Sequence, residues 1–292
     1  KLSNLSKSSA LKKIEHGYIQ FERNEHLLVH GGRPKALEIL RKLKQHKYYN
    51  DDRGDLSKET TQLSAYIKFG NISVREAYYK IYDTLGKDNQ LLSQLIWRDF
   101  YYYIANYVPR VFNKRETSNF NGKPSIKWKK SKKEFDAWAN GETGFPIIDA
   151  GMRQMNKTGY MHNRARLITS NFLNRLLLQD WHKGEKYFAQ QLTDYDPSVN
   201  NGNWQWTAST GVDTKPYSQR VYNPWLQSER YDTDAIYIKT WIPELKDIPA
   251  KHLHKWDTYC DAAEYKDLNY PKPIISYEER RKISIQKYKD IQ

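Results

Sequence analysis

The sequence is organised around the stretch Asp194-Tyr-Asp-Pro-Ser-Val-Asn-Asn-Gly-Asn-Trp-Gln-Trp206. Within thirteen residues it combines carboxylates, side-chain amides, two indoles and a glycine. These side chains are too mixed in character to bury as one helix face, and too aromatic for an ordinary solvated loop. The pattern therefore predicts a functional site.

Two structural alternatives apply to the same stretch. A calcium-binding loop is disfavoured because Val199 stands at the sixth position, where glycine is needed, and Gln205 stands at the twelfth, where a bidentate glutamate is needed. We therefore expect no metal here. A capped turn whose tryptophans simply pack in the core stays open, because tryptophan side chains usually serve packing.

Separate sequence blocks on both sides of this stretch help to distinguish a functional site from a packed, capped turn. They are T-T-Q-L-S at residues 60–64, F-G-N-I-S at 69–73, W-R-D-F at 97–100, T-G-F-P-I-I-D-A-G-M-R at 143–153, H-N-R-A-R at 162–166, and the later blocks Y-N-P-W-L-Q-S and W-I-P-E-L. In this order, and together with the central stretch, they resemble the flavin-binding half of the DNA photolyase and cryptochrome family. The resemblance covers nearly the whole chain.

Composition points to an anionic partner. The chain has 292 residues, a formal net charge of +14 and a pI near 9.5. Nucleic acid is the commonest partner of such a basic protein, although a charged, solubilising surface is the simpler alternative. The length suits two average domains or one larger domain.

Cysteine usage and hydropathy limit the cellular compartments that the sequence suits. The single cysteine, Cys260, excludes an intramolecular disulfide and any multi-cysteine zinc or iron-sulfur site. No apolar run approaches the roughly 18 residues needed to span a bilayer, and the N-terminus has no signal-peptide apolar core. We expect a soluble, intracellular protein without a membrane partner.

Hydrophobic spacing predicts an all-α fold. Helices are predicted over residues 34–43, 90–108, 146–159, 161–180 and 277–290. A capping box of Ser131 and Glu134 predicts one more helix start, and prolines such as Pro216, Pro224 and Pro243 interrupt the chain after residue 206. Strands do not alternate with helices, and no G-x-G-x-x-G or Walker pattern occurs. We predict a surface lead-in or linker over residues 1–33 and one helical FAD- and DNA-binding catalytic domain over residues 34–292.

The resemblance implies a multi-helical FAD-binding domain of the photolyase and cryptochrome type. Family members usually carry an N-terminal α/β domain for an antenna pigment, and we expect this chain to lack that domain and its pigment. A separate α/β half is then a candidate partner. The domain itself is expected to be a monomer.

Hydroxyls at residues 60–64 stand where a helix is predicted to begin. Such groups, with the free backbone N–H groups of a helix start, suit a phosphate as well as a plain N-cap. The resemblance implies that this block holds the pyrophosphate of FAD, and Thr61 replaces the usual serine. The residues assigned to this contact are Thr60, Thr61, Gln62, Leu63 and Ser64.

The resemblance also assigns the residues around the isoalloxazine ring. It places Asn200 beside the ring nitrogen that gains a proton on reduction, and an amide can both donate and accept there. Asp194 is expected to pair with Arg166 beside the ring, and Asp196 to meet its polar edge. Other expected cofactor contacts are Tyr48, Arg98 and Asn163. Taken singly, each residue could equally be an ordinary salt bridge or a core amide.

Three tryptophans match the family's electron-transfer chain from the surface to the flavin. They are Trp128, Trp181 and Trp204. Indoles oxidise more readily than aliphatic side chains, so a line of them offers stations for electron hopping. Without the resemblance, all three would be interpreted as core residues.

Damaged double-stranded DNA is the substrate that the resemblance implies. Trp97 and Trp206 match the indoles that wall the lesion pocket, where aromatic planes replace lost base stacking by roughly 1–3 kcal/mol per base. Arg164 and Arg220 match phosphate-contacting positions. The segment around Arg220 has one residue more than the family pattern.

Two departures bear on the lesion class. Gln94 stands where cyclobutane-dimer enzymes usually have glutamate, and Leu167 where many have methionine. The six-four lineage has histidines at the positions of Asn163 and Leu167, and this chain has neither. We therefore predict a deoxyribodipyrimidine photolyase, in which an electron from reduced FAD splits a cyclobutane dimer and Gln94 contacts the dimer. The alternatives are a cryptochrome-type photoreceptor and a basic helical nucleic-acid-binding protein without a cofactor.

Overall fold

Helices build all of the regular structure that the computed structural model describes, namely residues 24–113, 118–122, 125–212 and 221–291. No β-strand occurs in these ranges. The α-helices are α1 (Arg33–Arg41), α2 (Tyr49–Asp52), α3 (Leu63–Lys68), α4 (Val74–Leu85), α5 (Gln90–Tyr107), α6 (Lys132–Asn140), α7 (Pro146–Thr158), α8 (Asn163–Asn171), α9 (Trp181–Gln191), α10 (Pro197–Ala208), α11 (Pro224–Tyr231), α12 (Ile236–Trp241), α13 (Ala250–Leu253), α14 (Trp256–Tyr259) and α15 (Tyr277–Lys289). Short 3₁₀ turns lie at Leu43–His46, Pro109–Phe112, Pro243–Leu245 and Ala263–Tyr265.

Capping signals in the sequence fix several helix ends. Ser131 caps α6, because its Oγ accepts a hydrogen bond from the backbone N–H of Glu134. The Glu134 carboxylate instead pairs with Lys129 and Arg280, so the reciprocal half of the predicted capping box is absent. Helix α7 begins at its proline and ends before Gly159, which takes the left-handed conformation with φ of 67°. The predicted all-α class is confirmed.

The single helix predicted over residues 161–180 is wrong. Helix α8 ends at Asn171, and a π-helical segment follows over Phe172–Leu176. Arg175 of this segment is fully buried, and it donates from Nε to the carbonyl of Thr207 at 3.1 Å. The residue spacing that predicts a helix does not distinguish an α-helix from a π-helix, so the sequence pattern could not mark this change.

The region after residue 206 is more regular than predicted. Pro224 is the first residue of α11, and Pro243 is the first residue of a 3₁₀ turn. Both prolines therefore begin elements, because a first-turn proline loses no helical hydrogen bond. Pro216 lies outside the described residues. Most residues of α15 are exposed or half-buried, and Tyr277, Ser284 and Tyr288 are its buried residues.

Two large apolar clusters form most of the core, and Ile126, Leu178 and Tyr288 form a small third one. The larger cluster gathers α7, α8, α9 and α10 and contains Trp138, Trp181 and Trp204. The smaller cluster joins α1, α3 and α4 to the start of α5. Full burial of one large apolar side chain stabilises a fold by roughly 1.5–3 kcal/mol, so each cluster holds its helices together. The candidate site lies where α3 and α5 face α8 and α10.

Two glycines let helices approach closely beside this site. A Cβ on Gly202 of α10 would lie 2.1 Å from the ring of Tyr101 on α5, and one on Gly184 of α9 would lie 2.2 Å from the ring of Trp204 on α10. A side chain at either position would push the helices apart. The glycine of the N-N-G-N-W block is thus explained by packing.

Candidate functional site

One face of α3 meets the two aspartates of the central stretch. Ser64 and Lys68 are four residues apart, so they share this face. The Ser64 hydroxyl donates to Oδ2 of Asp194 at 2.7 Å, and Nζ of Lys68 lies 3.2 Å from Oδ2 of Asp196. The segment before α10 is therefore bound to α3 at two points.

The predicted pair of Arg166 and Asp194 is present. Nη2 of Arg166 lies 3.0 Å from both carboxylate oxygens of Asp194, and its Nε donates to the carbonyl of Met161 at 2.8 Å. The guanidinium carbon also lies 5.6 Å from the centroid of the Tyr160 ring. Asp194 thus links α8 to α3, because it accepts hydrogen bonds from the Arg166 guanidinium and from the Ser64 hydroxyl.

Asp196 has hydrogen-bond donors at both oxygens. Its Oδ1 accepts from the backbone N–H groups of Ser198 and Val199 at 3.0 and 3.1 Å and so caps α10. Its Oδ2 accepts from Lys68 and from the Tyr102 hydroxyl. Burial would raise the pKa of Asp196, but these donors outweigh burial and hold the pKa below its ordinary value.

The amide of Asn200 has a fixed orientation. Its Nδ2 donates to the backbone carbonyl of Glu185 at 3.2 Å and to Oε1 of the same residue at 3.0 Å. Burial raises the pKa of the Glu185 carboxyl. Because the nitrogen is engaged by Glu185, the side-chain oxygen of Asn200 is the atom that remains to meet a cofactor.

The T-T-Q-L-S block forms the predicted helix start. Gln62 takes the left-handed conformation with φ of 53°, and its side chain makes no capping hydrogen bond to α3. The Thr61 hydroxyl accepts a long bond of 3.4 Å from the N–H of Leu63, and the hydroxyls of Thr60 and Tyr160 lie 2.5 Å apart. A helix start with little side-chain capping fits an anionic group such as a pyrophosphate.

Three other residues assigned to the cofactor are more exposed to solvent than Asp194 and Asp196 are. The side chain of Tyr48 is 58% exposed. Arg98 pairs with Asp99 at 2.8 Å and lies 4.3 Å over the ring of Tyr102, which in turn bonds Asp196. Asn163, the first residue of α8, is exposed. Their roles as cofactor contacts stay predictions.

The three tryptophans differ in burial as a surface-to-interior path requires. Trp181 and Trp204 are buried, whereas Trp128 is half-buried and packs against the larger cluster. The ring neighbours of Trp204 are Phe188 at 4.9 Å and Trp138 at 6.1 Å. Within the described part of the chain, no ring contact joins Trp128, Trp181 and Trp204 to one another, so their direct alignment stays a prediction.

Two indoles form an aromatic corner where α5 meets α10. The rings of Trp97 and Trp206 are 5.9 Å apart at 84°, and Trp97 is 44% exposed. Gln94 lies one turn before Trp97 on α5 and donates to the carbonyl of Gln90 at 3.2 Å. Gln94 and Trp97, three residues apart, share a face of this helix.

The remaining substrate residues lie on α8 or outside the described residues. Leu167 and Arg164 are half-buried, and the Arg164 guanidinium lies 4.2 Å over the ring of Tyr231. Arg220 falls outside the described residues. The phosphate contacts of both arginines stay predictions.

Sequence reasoning missed several side chains of the site. They are Lys68, Tyr102, Tyr160 and Glu185. Helical spacing could have indicated Lys68, four residues after Ser64, and Tyr102, four residues after Arg98. The contacts of Tyr160 and Glu185 depend on how the helices pack, which residue spacing does not show.

The comparisons with known proteins agree with this geometry. The family model described as the FAD binding domain of DNA photolyase matches residues 91–290. The chain belongs to this family. FAD is the cofactor of the family, so the prediction of FAD is confirmed. The sparsely capped start of α3 suits an anionic group, and the contacts of individual residues with FAD stay predictions.

Individual relatives extend the match. The chain is 42% identical over 238 residues to the deoxyribodipyrimidine photo-lyase of Alkalihalophilus pseudofirmus, covering 79% of this chain and 49% of that protein. The photolyase of Sulfolobus tokodaii, solved with two FAD molecules, superposes with a TM-score of 0.79 at 40% identity, covering 92% of this chain and 58% of that one. A Synechocystis cryptochrome gives 0.79 at 28% identity, covering 94% and 59%. The chain spans about half the length of the curated relatives it matches.

None of the described helices is both long and apolar enough to cross a membrane.

Proposed function

We propose that residues 34–292 form the catalytic domain of a light-driven DNA-repair lyase, a deoxyribodipyrimidine photolyase. Its proposed substrate is a cyclobutane pyrimidine dimer in double-stranded DNA. The observation that carries this proposal is the aromatic corner that Trp97 of α5 and Trp206 of α10 form, together with the paired Asp194 and Asp196 carboxylates that precede α10.

The chain's own residues would hold FAD at both ends. The start of α3 would receive the pyrophosphate through its backbone N–H groups, while Asp194 and Asp196 would face the ring with their charges balanced by Arg166 and Lys68. Asn200 would present its side-chain oxygen, because Glu185 engages its nitrogen. Bound, reduced FAD would supply light-driven one-electron chemistry that is redox-neutral overall, because the electron would return to the cofactor.

Substrate capture would depend on the aromatic corner. A dimer flipped out of the duplex loses its stacking, and the indoles of Trp97 and Trp206 would replace it by roughly 1–3 kcal/mol per base. Gln94, one turn away on α5, would hydrogen-bond the bases. Arg164 and the net charge of +14 would attract the phosphate backbone.

A flavin photoreceptor is the second candidate, and the likeness to the Synechocystis cryptochrome favours it. The relatives are about twice as long as the matched region, so an α/β half is a proposed partner, whether joined to this chain or separate. The domain itself is proposed to act as a monomer.

A light-dependent repair assay separates these candidates. FAD-loaded, chemically reduced protein is mixed with an oligonucleotide that carries one cyclobutane dimer, illuminated with blue light and scored for restored pyrimidines. We expect repair in light only, and loss of at least tenfold in repair at limiting protein for Trp97→Ala. Trp256→Phe alters a buried indole outside the site and should repair normally. Bound, photoreducible flavin without any repair would support the photoreceptor.

A further inference from the structure

Lys68 places a positive charge beside Asp196, and sequence reasoning had not indicated this charge. Its Nζ lies 3.2 Å from Oδ2 of Asp196, and the side chains are 28% and 10% exposed, respectively. Arg166 and Asp194 form a second pair at the site. Asp194 and Asp196 therefore each have their own cation.

Capping of α10 does not account for this lysine. Oδ1 of Asp196 makes the two capping bonds, to Ser198 and Val199, and the Tyr102 hydroxyl already occupies Oδ2. The ammonium of Lys68 is an additional donor to a carboxylate that is capped without it. Its distinct contribution is charge, and partial burial weakens the solvent screening of that charge.

Two other charged groups of the site are already paired, whereas Glu185, beside Asn200, has no cationic partner among the described residues. On α5, Arg98 pairs with Asp99, and on α8, Arg166 pairs with Asp194. Removing Lys68 would therefore leave Asp196 without a cationic partner.

We propose that Lys68 is a positioning residue that raises the reduction potential of the bound flavin by neutralising Asp196. The inference rests on the proposed placement of Asp196 at the polar edge of the ring. Reduction adds negative charge to the ring, and an uncompensated carboxylate beside it would oppose that charge. Lys68 would thus favour the reduced state, which is the electron donor of the proposed reaction.

The test compares reduction potentials of bound FAD at pH 7, measured by spectroelectrochemical titration. Lys68→Met should shift the equilibrium at least tenfold toward oxidised flavin, which for a two-electron couple is a fall of 29.6 mV. Lys68→Arg keeps the charge and should stay within threefold of the wild type. Lys42→Met removes the same charge from an exposed surface pair with Glu38 and should leave the potential unchanged.

Lys68→Gln separates the effect of charge from the effect of hydrogen bonding. It also replaces Lys68→Met as the uncharged variant if the methionine variant does not fold. The glutamine can still donate to Asp196 but carries no charge, so it should behave like the methionine variant. A wild-type potential in either uncharged variant, or an equal shift in Lys42→Met, overturns the proposal. If both variants fold but lose FAD while Lys42→Met retains it, Lys68 serves binding, which also overturns it.

Failure of the proposed function would look different. If the wild-type protein binds FAD and its potential responds to Lys68 as expected, yet no lesion is repaired, the redox role stands and the lyase proposal falls. If the reduction potential does not depend on Lys68 while repair proceeds, the lyase proposal stands and the redox role falls. A wild-type protein that takes up no FAD would overturn both.

Discussion

Arg166 donates through one guanidinium nitrogen to both carboxylate oxygens of Asp194, at 3.0 Å each. The Ser64 hydroxyl also donates to Oδ2 of this carboxylate, at 2.7 Å. Asp194 therefore links three parts of the chain, namely α3, α8 and the segment before α10. We therefore expect loss of the Asp194 carboxylate to affect both the charge of the site and the packing of these segments.

Asp194→Ala should weaken FAD retention and lower the free energy of unfolding by about 2 kcal/mol, because it leaves a partly buried guanidinium without its partner. Urea denaturation of the apoprotein and the yield of released flavin measure the two effects. Glu38→Ala removes an exposed carboxylate from α1 and should cost under about 1 kcal/mol. Equal losses in the two variants would contradict the importance of the pair.

Trp204→Phe should slow the photoreduction of oxidised flavin at least tenfold while FAD still binds. Phenylalanine fills most of the same buried space but is much harder to oxidise. The rate is followed as loss of flavin absorbance under blue light with an external reductant. Trp256→Phe, at a buried indole outside the site, is the matched control. An unchanged rate in Trp204→Phe would remove this residue from the electron path.

Gly184→Ala should destabilise the fold by about 1–3 kcal/mol, because the new Cβ would lie 2.2 Å from the ring of Trp204. The helical preference for alanine offsets part of this cost. Gly31→Ala is the control, since nothing lies within 4 Å of its added Cβ. Urea midpoints of the two variants measure the difference. A Gly184 variant as stable as the wild type would show that Trp204 can move.

His162 should make the fold sensitive to acid. Its Nδ1 accepts the N–H of Arg164 at 3.0 Å as the cap of α8, and burial, followed by the charges of Arg166 and Arg164, lowers the His162 pKa to about 4. The unfolded chain takes up the proton near pH 6.5, so stability is lost as pH falls from 6.5 to 4.

The comparison uses His162→Asn, which can cap the helix but does not titrate. Between pH 7 and pH 4 the wild type should lose about 3 kcal/mol more of its unfolding free energy than the variant does. The raised pKa values of Asp149 and Asp232, both about 6 because of burial, act in the opposite direction in both proteins and cancel in the difference. Parallel pH profiles would contradict the assignment.

Local signals in the sequence were sufficient for much of the fold. Pro146 and Gly159 fixed both ends of α7, and Ser131 fixed the start of α6, because caps and prolines act within one turn. The pair of Arg166 and Asp194 came from the family resemblance. Lys68 and Glu185 were missed because their partners lie on other helices, where packing decides the contact.

The aromatic corner and Gln94 lead to a prediction of substrate class, in which we expect Gln94 to contact the dimer. The indoles of Trp97 and Trp206 suit the fused, splayed pyrimidines of a cyclobutane dimer, while Asn163 and Leu167 supply no histidine for six-four repair. We expect reduced protein under blue light to repair the cyclobutane lesion and not the six-four lesion.

Gln94→Glu should raise the yield of cyclobutane repair several-fold if residue 94 contacts the dimer, because a carboxyl group can offer the bases a proton that an amide cannot. Two oligonucleotides, one with each lesion, are scored for restored pyrimidines under identical illumination. Gln90→Glu, one turn earlier on α5, introduces the same charge and should leave the yield unchanged. Repair of the six-four lesion alone would refute the assignment of substrate class. An equal gain in both glutamate variants would show that added charge, and not contact by residue 94, controls the yield.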